Sequence, residues 1–100
     1  MTESVAVYGF GSFFNGKARP HDIDLLLVHR STDSESCKFA IDCKAQIKSE
    51  LPAADVVMLS QAEAESLDFL ERAKAIKLDN VSAATMEADV RELANRLLRR

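Results

Sequence analysis

Asp22-Ile23-Asp24-Leu25-Leu26-Leu27-Val28 constrains this chain more than any other stretch. Four consecutive apolar residues after the second acid read as a strand over 22–28, apolar enough to be buried. A strand has period 2, so Asp22 and Asp24 project from the same face of it. Two carboxylates held that close repel each other, and burial adds a desolvation cost. A divalent cation neutralises such a pair, and Mg²⁺ is the usual guest of carboxylate oxygens. A third acid, Asp55, opens a second apolar run, Asp55-Val56-Val57-Met58-Leu59. Gly11-Ser12 ends an earlier apolar run, where backbone N–H groups and a hydroxyl suit a phosphate. Together these parts point to metal-assisted phosphoryl or nucleotidyl chemistry.

One hundred residues make a single domain, 1–100, with room for one core and none for a separate substrate domain. A net charge of −3 argues against a protein that coats nucleic acid. The N-terminus Met1-Thr2-Glu3-Ser4 lacks the basic start and apolar core of a signal peptide, and no apolar run approaches a membrane span. Cys37 and Cys43 fall on one expected helix with Cα atoms roughly 9 Å apart, too far for a disulfide. Reduced thiols and a cytoplasmic location are the expectation.

Periodicity predicts a first strand over 5–10, a short helical turn over 13–16 and a loop over 17–21, where Pro20 blocks strand pairing. Thr32-x-x-Glu35 has the form of a capping box, followed by Ala40, Cys43, Ile47 and Leu51 at helical spacing until Pro52. The third strand covers 55–59. Ser60-x-x-Glu63 is a second capping box, opening a helix with Leu67, Phe69, Leu70, Ala73 and Ile76 on its inner side, broken at Asp79-Asn80. His29, at the end of the second strand, is expected to be solvated or capping. The result is an α/β (α+β) domain: a small mixed β-sheet with helices packed on it, its core over about 4–78, and an extra C-terminal helix over about 82–99. A short link makes the first two strands antiparallel, and a helical crossover makes the second and third parallel. On the last helix, Ala83, Met86, Val90, Leu93 and Leu97 form a 3-4-3-4 seam, suited to packing on its own core or to recruiting a second chain.

Gly11-Ser12, nine intervening residues, Asp22-x-Asp24 and the strand-borne Asp55 resemble the nucleotidyltransferase superfamily that includes DNA polymerase beta. The run Ala18-Arg19-Pro20-His21-Asp22-Ile23-Asp24-Leu25-Leu26-Leu27-Val28 is most similar to its minimal nucleotidyltransferase (MNT) members, often paired with HEPN proteins. The resemblance spans about residues 5–59. It implies the nucleotidyltransferase fold, and it implies transfer of a nucleoside monophosphate, AMP from ATP, to an acceptor hydroxyl by a two-metal mechanism.

On that resemblance Asp22, Asp24 and Asp55 hold Mg²⁺ or Mn²⁺, and Asp55 also serves as base for the incoming hydroxyl. Gly11 and Ser12 bind the phosphates, and Lys17 and Arg19 neutralise triphosphate charge. Each has a plainer alternative: Asp55 as a turn residue, Ser12 as a helix cap, and the two basic residues as solvated loop. The implied partners are a nucleoside triphosphate and either an HEPN-type protein, with this chain as antitoxin, or a second copy held through the C-terminal helix. A catalytically weak nucleotide- or partner-binding module of the same fold is the alternative. A stand-alone transferase acting on a small substrate fits a chain this short least well. Minimal members usually carry a helix before the first strand, and this sequence begins almost at the strand.

Overall fold

The computed structural model describes residues 3–15 and 23–99, the side chains of Ser12 and Asn15 excepted. Strands β1 (Ser4–Phe10), β2 (Asp24–His29), β3 (Asp55–Ser60) and β4 (Ile76–Ser82) form one sheet in the order β3-β2-β1-β4. As expected, β1 runs antiparallel to β2 and β2 parallel to β3; β4 adds antiparallel to β1. Helices α1 (Ser34–Glu50), α2 (Gln61–Ser66), α3 (Phe69–Arg72) and α4 (Met86–Leu98) pack on this mixed α+β frame. Among the described residues no helix is long and apolar enough to cross a membrane.

The leucine run of β2 is buried because both faces of the sheet are covered. Leu25 and Leu27 join Val5, Val7, Val56 and Val81 under α1 and α4, which contribute Phe39, Ala40, Cys43, Ile47, Val90, Leu93 and Leu97. Leu26 and Val28 face the other way, beneath Ala64, Phe69 and Leu70 of α2 and α3. The C-terminal seam therefore packs inside the chain. Val90 and Leu93 are each 1 % exposed, and of the large apolar side chains of α4 only Leu98, at 64 %, is exposed. Cys37 and Cys43 are free thiols, and burial pushes the Cys43 thiol up to about 12, which leaves it inert.

The single helix expected over 60–78 is corrected. Ser60 caps α2 as the sequence implied, accepting from Glu63 N–H at 3.1 Å while Glu63 accepts from Ser60 N–H at 2.9 Å. Asp68 and Lys74 then adopt left-handed φ of 53°, which stops one helix at Ser66 and confines the next to four residues. Leu67 and Ile76, expected inside, are 54 % and 44 % exposed. Residues 76–82 form β4, so Asp79-Asn80 lies within a strand.

Two smaller expectations also change. Asp33, not Thr32, caps α1, its carboxylate accepting from Ser36 N–H at 3.0 Å. His29 is buried rather than solvated: its Nδ1 donates to Ser31 O at 2.8 Å and lies 3.1 Å from Ser36 Oγ. Ser36 Oγ accepts in turn from Ser31 N–H at 3.0 Å, which ties the end of β2 to the start of α1.

The cap makes folding sensitive to acid. The Ser36 N–H bond and the Ser31 hydroxyl hold the Asp33 carboxyl at about 2, below its ordinary 3.8. A depressed carboxyl stabilises the fold above the unfolded value and loses that contribution as pH falls through the folded one. Thermal stability should therefore drop between about pH 4 and pH 2. Asp33→Asn keeps a capping oxygen without a titrating group, so its melting temperature should fall less over that interval. Identical slopes for the two proteins would show that other carboxylates carry the effect.

Candidate functional site

The start of β2 and the start of β3 meet side by side. Asp24 pairs with Asp55 in the parallel register, and on its other side with Phe10 at the end of β1. In-register residues share a face, and neighbouring strands lie about 4.8 Å apart. Asp24 and Asp55 are thus adjacent carboxylates on the face that also carries Leu26, Val28 and Leu59. Asp24 is half-buried and Asp55 exposed. Backbone contacts fix this placement: Asp55 N–H donates to Ile23 O at 2.9 Å. Lys48 Nζ donates to Pro52 O at 3.1 Å and to Ala54 O at 2.7 Å, which anchors the loop that delivers Asp55.

Gly11 closes the site from the β1 side. Its φ is +81°, a conformation that glycine adopts without penalty, and it opens the 3₁₀ turn Ser12–Asn15, with Phe14 N–H donating to Gly11 O at 3.1 Å. A Cβ added at Gly11 would stand 2.5 Å from Asp24 Oδ2. The backbone therefore lies against the carboxylate, and a larger residue at 11 would have to displace the Asp24 side chain as well as adopt a positive φ. Gly11→Ala should both strain the turn, by roughly 1–2 kcal/mol, and push Asp24 out of position. A circular-dichroism melt and a Mg²⁺ titration together check this: an unchanged melt with normal metal response would mean the approach is incidental.

These residues fit a divalent cation. Adjacent carboxylates in register repel unless a cation shares them, and hard oxygen donors are what Mg²⁺ and Mn²⁺ take. Among the described residues no group of three or more His, Cys, Asp or Glu side chains gathers for a metal. Asp22, Lys17 and Arg19 lie outside the described residues, as does the Ser12 side chain.

Two features of the face that carries the acids were not singled out from sequence. Phe10, the cross-strand neighbour of Asp24, meets Phe69 edge to face with centroids 5.3 Å apart. Towards the other end of the same face lies a groove of about 890 Å³, its floor formed by Ala6, Tyr8 and Val28 and its sides by Arg30 and Lys77. The signal for the Lys77 side was the alternation Ile76-Lys77-Leu78-Asp79, a period of 2 inside a stretch read at period 3.6. Comparisons with protein-family models, with curated proteins and with solved structures each find no match for this chain.

Proposed function

We propose that this chain is a metal-dependent nucleotidyltransferase that moves a nucleoside monophosphate, AMP from ATP, to an acceptor hydroxyl. The observation that carries the reading is the in-register pair Asp24–Asp55 beneath the close approach of Gly11. Asp24 and Asp55, with Asp22 on the sequence resemblance, would hold Mg²⁺, which when bound polarises phosphoryl oxygens and offsets their charge. Asp55, the exposed member, is open to an incoming hydroxyl and takes its proton. The Gly11-Ser12 turn, packed against Asp24, would offer its backbone N–H groups to a phosphate. The acceptor is a partner protein of the HEPN type in the cytoplasm, with this chain as its antitoxin.

The groove on the same face, lined by Tyr8, Arg30 and Lys77 rather than by the acids, would serve a module that binds nucleotide with little turnover, so the test separates the two. The protein is incubated with α-labelled ATP and Mg²⁺ in lysate of its host. A labelled macromolecule formed by wild type and not by Asp55→Asn is the expected result. A Mg²⁺-ATP-dependent rise in melting temperature without label would favour the binding module, and neither response would overturn both readings.

A further inference from the structure

The outer edge of β3 is bare. Since Asp55 N–H bonds to Ile23 O, residues 55, 57 and 59 turn their backbone groups towards β2, while Val56 and Met58 turn theirs outward. Among the described residues nothing hydrogen-bonds to those outward groups. The opposite edge, β4, is protected. It carries a bulge against β1 between Val7 and Tyr8, and charged residues at Lys77 and Asp79. Arg96 lies over it, donating to Leu78 O at 3.5 Å and to Asp79 at 2.7 Å. Edge strands are ordinarily blunted by such devices because an open one pairs with another strand. Val56-Val57-Met58-Leu59 has no charge, no proline and no bulge.

We infer that this edge joins two copies of the chain, with β3 paired antiparallel to itself about Val57. The edge is complementary to its own copy. A twofold axis at Val57 sets Val56 opposite Met58 of the second copy, and both turn their N–H and C=O groups outward. Each such pair exchanges two hydrogen bonds, so the two symmetric pairs form four. Val57, 40 % exposed, meets Val57 of the second copy on the face that carries the acids and is covered there. Asp55 falls opposite Leu59 of the second copy, which keeps the like charges apart and adds a wall beside Asp55. The pairing makes one continuous eight-stranded sheet from two four-stranded ones. It stands whether or not the chain transfers nucleotides, and it is read without nucleotide or metal.

Four bonds make a small interface, so light scattering is run at a concentration on the order of 100 µM. The expected mass is about 22 kDa, twice the chain's 11.0 kDa. Val57→Lys opposes two like charges at an exposed position and should return 11.0 kDa with an unchanged circular-dichroism spectrum. Leu98→Lys, on the exposed side of α4, should stay at twice the chain mass. Amide exchange supplies a second readout: the Val56 and Met58 amides should be protected in wild type and exchange quickly in Val57→Lys. A wild-type mass of 11.0 kDa overturns the proposal. So does a dimer whose Val56 and Met58 amides exchange freely, a result that needs no variant to fold.

Discussion

Under the proposed nucleotidyl transfer, Asp24→Asn should reduce the rate by roughly 10²–10⁴-fold, the range that several kcal/mol of lost charge stabilisation gives. Asn retains the shape of Asp24 but is neutral, and a carboxamide is a poorer ligand for a hard cation. The same change removes repulsion from Asp55, the in-register neighbour, so the metal-free variant should be at least as stable as wild type. Metal response then moves the other way. Bound at the proposed site, Mg²⁺ at a hundredfold excess over its dissociation constant would stabilise wild type by about 2.7 kcal/mol. For a domain of this size that is a rise of roughly 10–20 °C in melting temperature. Asp24→Asn should lose most of it. A variant that melts lower without metal yet responds to Mg²⁺ as wild type does would make Asp24 a structural residue and remove the catalytic assignment.

The parts of the fold legible in the sequence were those where a single periodicity ruled. The β2 leucine run read as a buried strand, and Ala40, Cys43, Ile47 and Leu51 as one face of a helix turned to the core; all four are buried. Residues 60–78 were not legible because two signals overlapped. A true capping box at Ser60 and Glu63 launched a helix, and apolar residues at Phe69, Leu70 and Ala73 continued its spacing. Nothing in that spacing announces that Asp68 and Lys74 take left-handed φ, which aspartate adopts only occasionally and lysine rarely. The fourth strand was lost with that helix, and with it one wall of the groove. His29 was misread for a related reason: a histidine at a strand end is polar by type, and its burial depends on Ser36, seven residues further on.

At the candidate site, the helical crossover implied that Asp55 could lie beside the strand of Asp24, with the strand order resting on the family resemblance, and the register makes them direct neighbours. Gly11 was read as a phosphate turn from its type and place. Its close approach to Asp24 is a tertiary distance that no spacing encodes.

The largest stability effect should come from the C-terminal helix. Val90 and Leu93 are 1 % exposed and pack with α1 residues and with Val81 of β4, so their removal opens a cavity that the sheet cannot close. Leu93→Ala should cost roughly 3 kcal/mol, a fall of about 12–24 °C in melting temperature. Leu98→Ala, one turn further on and 64 % exposed, should change it little. Read as a docking seam, the same residues would tolerate charge, and Val90→Asp with Leu93→Asp would merely separate two chains. Buried in the core of a domain whose total stability is of order 5–15 kcal/mol, two unpaired carboxylates should instead unfold it. Far-ultraviolet circular dichroism distinguishes the outcomes. A double variant with a native spectrum and half the wild-type mass would return α4 to the role of an interface, and a collapsed spectrum places its apolar face inside the chain.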